Sequence, residues 1–250
     1  MAEVLLEVED GVAVVTLDAP HRRNALVPTM VHELLEVCDR IDADETIGAV
    51  VVRANGPSFC AGAHRAVLAE AGRDPARSDR YRDLELTYRA FARVGELRPP
   101  SVAAVRGHAV GAGVNLMLAT DLRVVAEDAR IVTGFLRIGI HPGGGHFALL
   151  ARLAGREAAA AMGLFGEEVD GRGAVRLGLA WEALPEPEVE PRARELARRA
   201  AADPELARAA VRSLRLELGP PALPWAAALE AEKAAQMWSL RRRAEREGEG

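Results

Sequence analysis

The chain has 250 residues, of which 49% are hydrophobic, and a formal net charge of -5 at pH 7. This length can bury one large core, alone or with a small appendage, and the acidic balance gives no indication of a nucleic-acid partner. The two cysteines have no metal-ligand spacing, so we expect no metal. We also see no secretion leader and no apolar run of the roughly 20 residues that a membrane helix needs, so we expect a cytoplasmic protein with no membrane partner.

Short apolar runs alternate with amphipathic segments over the first 190 residues. The apolar runs predict strands over residues 4–8, 12–17, 49–53, 102–105, 122–126 and 130–132. Apolar residues at helical spacing predict helices over residues 28–41, 81–97, 111–119, the segment after residue 145, and 157–164. Gly72 and Pro75 interrupt the polar segment 65–78, which we expect to be a mobile loop or a frayed helix. Recurring strand–strand–helix units favour an α/β fold with parallel strands and crossover helices.

Helices without strands are predicted after residue 190. They cover residues 192–202, 204–218 and 225–245, with a hinge at 219–221. Such helices must bury their apolar faces elsewhere, and a second subunit is the economical solution. The last helix carries a mostly apolar strip formed by Trp225, Ala228, Leu229, Glu232, Gln236 and Leu240. We therefore predict a core over residues 1–190 and a C-terminal helical oligomerisation region over residues 191–250.

Two Gly/Ala-rich turns carry the strongest functional signal. Ala61-Gly62-Ala63 and Gly111-Ala112-Gly113 each follow an apolar strand and precede a helix. Small residues let a ligand approach the main chain, and helix N-termini favour negative charge. Two such turns can point two backbone N–H groups at one oxygen, as an oxyanion hole does for a thioester that becomes enolate-like. For either turn alone, an ordinary tight turn is the alternative.

Ordered motifs along nearly the whole chain resemble the crotonase (enoyl-CoA hydratase/isomerase) superfamily. The motifs are Arg23-Asn24-Ala25-Leu26, Phe59-Cys60-Ala61-Gly62-Ala63, residues 99–105, Gly111-Ala112-Gly113, residues 119–123, residues 139–145 and Gly178-Leu179-Ala180. The resemblance implies a crotonase-like spiral of ββα units with a C-terminal helical region that builds a homotrimer or a hexamer. It also implies an acyl-CoA ligand, with coenzyme A as part of the thioester substrate and no permanently bound cofactor.

The resemblance also assigns roles to particular residues. The amides of the oxyanion hole fall on Ala63 and Ala112, and the turn at Ala61-Gly62-Ala63 is expected to contact the ligand. A basic residue that contacts coenzyme A falls on Arg23, for which an ordinary surface arginine is the alternative.

The two catalytic glutamates of the family's hydratases fall on Asn115 and Phe135. Neither an amide nor a hydrocarbon ring exchanges protons near neutral pH, so we expect little hydratase activity and disfavour isomerisation through the Phe135 position. Other branches carry an aspartate where Gly143 stands, which excludes dehalogenation here.

Histidine is then left for proton transfer. His141 precedes Pro142-Gly143 and His146 begins the next helix, with capping or packing as the alternative for both. We expect an enzyme that acts on an acyl-CoA thioester through oxyanion-hole stabilisation of an enolate-like intermediate. The alternatives are a catalytically weak or silent acyl-CoA-binding protein, and an acyl-CoA decarboxylase or hydrolase that uses histidine.

Overall fold

The computed structural model describes residues 2–74, 77–217 and 225–248. In chain order the strands are β1 (Val4–Glu9), β2 (Val12–Leu17), β3 (Ala49–Ala54), β4 (Ser58–Cys60), β5 (Ser101–Val105), β6 (His108–Val110), β7 (Leu122–Ala126), β8 (Arg130–Val132), β9 (Val169–Asp170) and β10 (Glu182–Leu184). The helices are α1 (Pro28–Ala43), α2 (Arg65–Arg73), α3 (Ser78–Gly95), α4 (Ala112–Ala119), α5 (His146–Gly163), α6 (Gly171–Arg176), α7 (Glu186–Ala201), α8 (Pro204–Glu217) and α9 (Trp225–Gly248).

The strands form two sheets that the chain visits in alternation. The larger sheet has the order β1-β2-β3-β5-β7-β10, and the smaller has the order β4-β6-β8-β9. The strands come in consecutive twos along the chain: β3, β5 and β7 belong to the larger sheet, and β4, β6 and β8, which follow them, belong to the smaller. Helices follow each of these units. All pairs are parallel except β1 with β2 and β8 with β9. The predicted α/β spiral of ββα units is therefore confirmed.

Burial on both faces explains the composition of the central strands. Ala49–Ala54 and Ser101–Val105 are almost continuously apolar and buried, which is typical of parallel strands that helices cover on either side. On one side α7 packs across β2, β3, β5 and β7. This helix begins at Glu186, earlier than predicted; Pro187 lies in its first turn, where proline is tolerated, and Pro191 lies inside the helix. The predicted boundary at residue 190 thus lies inside a helix that covers the chain's own sheet.

The segment 65–78, for which we predicted a mobile loop or a frayed helix, contains a regular helix directly after His64. Arg65–Arg73 forms α2, and the helix α3 begins at Ser78. Gly72 is buried, and a Cβ built on it would lie 2.7 Å from the carbonyl oxygen of Leu240 in α9. The glycine therefore allows two helices to approach closely and does not mark a break.

The last helix folds back over its own chain. Gln236, Met237 and Leu240 are buried, and α9 packs on α2 and α5. The expectation that its apolar strip needs a second subunit to cover it is therefore wrong for Gln236 and Leu240. The side chains of Ala228 and Glu232, and the predicted hinge at residues 219–221, lie outside the described residues. Within the described parts of the chain, no helix combines the length and apolarity that crossing a membrane requires.

Candidate functional site

The two Gly/Ala-rich turns meet because the strands that precede them, β4 and β6, are parallel neighbours. Gly62 has a φ of +84°, and a Cβ built on it would lie 2.6 Å from the carbonyl oxygen of Val110 and 3.2 Å from the amide nitrogen of Ala112. Glycine is required at this position by both the backbone conformation and the contact. The absence of a side chain at Gly62 therefore determines how closely the two turns approach each other.

The second turn is fixed in a similar way. Gly111 has a φ of +54° and its amide donates to the carbonyl oxygen of Val132 at 2.9 Å. A Cβ on Gly113 would overlap the carbonyl oxygen of Cys60, so α4 can begin against β4 only with glycine here. This packing places the N-terminus of α4, with its unpaired first amides, beside the first turn.

The resemblance assigns the two donors of these turns to the amides of Ala63 and Ala112. Leu26 and Ala63 form an isolated parallel β-bridge. In this bridge Leu26 N donates to Gly62 O at 2.8 Å, and His64 N donates to Leu26 O at 3.0 Å. The Ala63 amide points away from this bridge. Among the described residues, no backbone carbonyl accepts a hydrogen bond from the Ala63 or the Ala112 amide. Both residues line one cavity, so their two amides are candidate donors to a ligand that binds there.

The loop that carries Arg23 holds the first turn in place. Asn24 is buried, and its side chain accepts from Ala19 N at 2.7 Å and donates to Asn55 O at 2.9 Å and to Ser58 O at 2.8 Å. The carbonyl oxygen of Arg23 accepts from Ala61 N at 3.0 Å. The Arg23 side chain is exposed. The motif therefore anchors the turn through the Asn24 side chain and the Arg23 carbonyl, and it leaves the Arg23 guanidinium at the surface.

The cavity beside the two amides has a volume of about 180 Å³. Helix α3 supplies Leu84, Thr87, Tyr88 and Phe91 to its wall, α9 supplies Gln236, and the segment after β8 supplies Thr133, Gly134, Phe135, Ile138 and Ile140. Among the described residues of the lining there is no Asp, Glu, Cys or His, and its charged members are Arg65 and Arg137, both exposed. The described residues likewise contain no cluster of side chains that could hold a metal ion.

Asn115 lines this cavity and is held by two partners. Its Nδ2 donates to Gly143 O at 3.1 Å, and its Oδ1 lies 2.6 Å from Nδ1 of His146. Because an amide oxygen only accepts, His146 Nδ1 must carry the proton in this pair. Burial lowers the pKa of His146 to about 3, so the imidazole is neutral near pH 7. Phe135 packs edge-on against this ring, with centroids 4.8 Å apart.

The structure thus brings together Ala61, Gly62, Ala63, Ala112, Asn115 and Phe135, as predicted from the sequence. His141 is not among the residues that line the cavity; its Nδ1 lies 2.6 Å from the carbonyl oxygen of Pro142. His146 lies behind Asn115 and is fully buried. Neither imidazole is therefore placed at the cavity surface.

The sequence analysis missed the contributions of α3 and α9 to the site. Phe91 belongs to a helix that was predicted only as amphipathic, and Gln236 to a strip that was assigned to a subunit interface. The stacking of Trp225 on Phe91, with centroids 6.1 Å apart and ring planes 17° apart, links the two helices. Aromatic residues on the apolar face of the predicted helix 81–97 are the one signal that could have pointed to this wall.

Comparisons with known proteins agree with this architecture. The profile of the enoyl-CoA hydratase/isomerase family matches residues 7–246. A probable enoyl-CoA hydratase of Mycobacterium tuberculosis, EchA14, is 41% identical over 184 residues, which are 74% of this chain and 70% of the relative. The 1,2-epoxyphenylacetyl-CoA isomerase of Escherichia coli is 32% identical over 82% of this chain and 78% of its own length.

Solved structures match nearly the whole chain. An enoyl-CoA hydratase/isomerase from Xanthobacter autotrophicus Py2 superposes with a TM-score of 0.82 and 30% identity, covering 95% of this chain and 86% of that one. An enoyl-CoA hydratase from Bacillus halodurans has a TM-score of 0.85 over 98% and 99% of the two chains, and at 24% identity it supports the fold alone. The chain therefore belongs to the enoyl-CoA hydratase/isomerase family of the crotonase superfamily, a family of enzymes that act on acyl-CoA thioesters.

Proposed function

We propose that this chain binds an acyl-CoA thioester with the carbonyl oxygen between the amides of Ala63 and Ala112, and that it stabilises the enolate-like charge without a carboxylate base. One observation carries the proposal: Ala63 and Ala112 line a cavity whose described lining holds no carboxylate and no imidazole, and no described backbone carbonyl accepts from either amide. Two fixed amide donors are suited to negative charge that develops on the oxygen. Exposed Arg23, Arg65 and Arg137 are suited to the phosphates of coenzyme A.

Hydration of a double bond is poorly supported by this lining. The amide of Asn115 is committed to Gly143 and His146, and Phe135 is a buried hydrocarbon ring. General acid–base catalysis contributes about 10²–10⁴-fold to a rate. We therefore expect crotonyl-CoA to be hydrated at least 100-fold more slowly (about 100-fold from one missing group alone) than by a relative with both glutamates.

Decarboxylation is the enolate reaction that this lining favours, because it requires no base. In a 2-carboxyacyl-CoA, the bond between Cα and the carboxylate breaks and carbon dioxide leaves. The electron pair of that bond moves into the thioester to form the enolate, which the two amides stabilise, and water then returns a proton to Cα. A protein that binds thioesters without turnover is the second candidate, and it is supported by the same neutral lining.

The carbonyl contact can be tested with two ligands that differ only at the thioester. Butyryl-CoA carries the carbonyl oxygen and S-butyl-CoA, a thioether, lacks it. Two net hydrogen bonds of about 1 kcal/mol each predict that the thioester binds about thirtyfold more tightly, as measured by calorimetry. Equal affinities would contradict the proposed oxyanion hole.

Turnover is tested on a panel of acyl-CoA thioesters followed by mass spectrometry. Loss of carbon dioxide from ethylmalonyl-CoA, together with slow hydration of crotonyl-CoA, is the expected result. Binding without turnover of any thioester would favour the silent alternative. Rapid hydration of crotonyl-CoA would contradict the role that we assign to the neutral lining.

We also infer that the chain assembles as a homotrimer or a hexamer, through a surface other than the strip on α9. Leu136, Leu164 and Phe165 flank one cleft and are exposed, Phe165 to 80%. Exposed apolar groups of this kind are typical of subunit contacts. Light scattering should give a multiple of three chains, and Phe165→Glu should reduce the mass. A monomer mass for the wild-type protein would contradict this inference.

A further inference from the structure

A buried chain of hydrogen bonds ties the start of α4 to the glycine-rich loop before α5. Asn115 of α4 donates from Nδ2 to Gly143 O at 3.1 Å, and its Oδ1 lies 2.6 Å from Nδ1 of His146. Asn115 is 1% exposed and His146 is fully buried. Asn115 and Gly143 belong to the described lining of the cavity, whereas His146 does not. His146 can therefore act on a bound ligand only through the residues that it contacts.

Asn115 has the one polar side chain of the helix α4, whose other residues are alanine, glycine, valine, leucine and methionine. Apolar contacts have no preferred direction, so they allow small rotations of a helix about its axis. Hydrogen bonds are directional. The two hydrogen bonds of Asn115 therefore select one rotation of α4. Because Ala112 begins this helix and shares its first turn with Asn115, the same rotation sets the direction of the Ala112 amide.

This link requires a hydrogen-bond donor at position 146. An amide nitrogen only donates and an amide oxygen only accepts. Since Nδ2 of Asn115 donates to Gly143 O, Oδ1 is the atom that faces His146, and Nδ1 of the imidazole must donate to it. Phe135, which lines the cavity, packs edge-on against the same ring. The imidazole thus supports one lining residue by donation and another by packing, and substitutions can separate the two roles.

We propose that His146 is a positioning residue: its Nδ1–H holds Asn115 and thereby directs the Ala112 amide towards the carbonyl oxygen of a bound thioester. The proposal rests on the proposed function, because it requires that oxygen to lie between the amides of Ala63 and Ala112. It extends that function by naming a residue that does not contact the ligand and yet sets the geometry of one of the two donors.

Two substitutions of similar shape separate donation from packing. Asparagine and leucine both branch at Cγ and both lack the ring that packs on Phe135, so His146→Asn and His146→Leu should each have a lower Tm than the wild-type protein. The asparagine amide can donate from the position of the imidazole Nδ1, and leucine cannot donate. The affinity ratio of butyryl-CoA to S-butyl-CoA, measured by calorimetry, should therefore stay at about thirtyfold in His146→Asn and fall to about fivefold in His146→Leu. Both ligands carry coenzyme A, so any change in its affinity cancels in the ratio.

Equal ratios in the two variants, whether both stay at the wild-type value or both fall, would overturn the proposal, because the donor would then make no difference. A wild-type ratio well above one would leave the proposed function intact in either case. A wild-type ratio of one would overturn the proposed function, and this inference with it.

The wild-type protein provides a second test that does not depend on the folding of either variant. In ¹⁵N-labelled protein, the imidazole of His146 can be assigned by its nuclear Overhauser contacts with the Phe135 ring. The chemical shift of its Nδ1 near neutral pH should be that of a nitrogen that carries a proton. An unprotonated Nδ1 would overturn the proposal, since the ring could not then donate to Asn115.

Discussion

A single methyl group at Gly62 should damage the site more than the fold. A Cβ at this position would lie 2.6 Å from Val110 O and 3.2 Å from the amide nitrogen of Ala112. Non-bonded heavy atoms reach their optimal separation at about 3.5 Å or more. In Gly62→Ala the two turns must therefore move apart, and the amide of Ala112 moves relative to that of Ala63.

The size of the effect follows from two separable costs. An L residue at positive φ costs about 1–2 kcal/mol, and relief of an overlap in a packed region costs about 1–3 kcal/mol. Gly166 provides a matched control, because it also has a positive φ, +75°, but a Cβ on it would meet no atom within 4 Å. Gly166→Ala therefore carries only the first cost. The difference between the two variants should be about 1–3 kcal/mol in the free energy of unfolding, or about 2–12 °C in Tm.

The assay combines thermal unfolding with the affinity ratio of butyryl-CoA to S-butyl-CoA. In Gly62→Ala the ratio should fall from about thirtyfold to about fivefold, the value for one remaining hydrogen bond. In Gly166→Ala the ratio should be unchanged. If the two variants have equal Tm values and equal ratios, the contact between Gly62 and Ala112 does not set the geometry of the oxyanion hole.

The remaining predictions concern the supports of the site. In the folded protein His146 stays neutral down to its pKa of about 3, whereas in the unfolded chain an imidazole takes up a proton near pH 6.5. The free energy of unfolding should therefore fall by about 2 kcal/mol as the pH is lowered from about 7.5 to about 5. Urea unfolding should show that this loss is absent in His146→Gln and retained in the exposed control His32→Gln; an equal loss in both would refute it. Asn24→Ala removes three hydrogen bonds made by a buried side chain and should cost about 3 kcal/mol, or about 6–12 °C in Tm. Arg23→Gln should leave Tm unchanged and should lower the affinities for free coenzyme A and for its thioesters by the same factor at low salt. If only the affinity for the thioesters falls, Arg23 does not contact the coenzyme A portion of the ligand.

The fold could be predicted from the sequence because the central strands β2, β3 and β5 of the larger sheet are almost wholly buried. Apolar runs such as Ala49–Ala54 are typical of parallel strands that helices cover on both faces. The helix α2 was harder to predict, since Gly72 normally weakens a helix. Its role becomes visible only when α9, more than 150 residues later in the chain, is placed against it. Local patterns carry no information about such a partner.

The same distinction applies to the candidate site. The two Gly/Ala-rich turns are local features, because the glycines at positions 62, 111 and 113 are needed for the turns themselves and for their contact. The wall of the cavity combines α3, the segment after β8 and α9, which meet only in the folded chain. Gln236 shows the difference most directly. Its sequence neighbours indicate an apolar helix face, and its contact with Gly143 depends on the path of the whole C-terminal region.

A neutral cavity has one further consequence, which concerns pH. Among the described residues of the lining, only the guanidinium groups of Arg65 and Arg137 carry charge, and arginine stays protonated across the accessible range. His146 holds Asn115 as a neutral ring throughout, since burial keeps its pKa at about 3. The affinity ratio of butyryl-CoA to S-butyl-CoA should therefore be constant from about pH 5.5 to about pH 8.5, the range in which an unperturbed imidazole would titrate. The phosphates of coenzyme A are common to both ligands, so their titration cancels in the ratio. A ratio that changes around pH 6–7 would place a titrating imidazole at the thioester and so return His141 to the acid–base role that its position outside the cavity lining argues against.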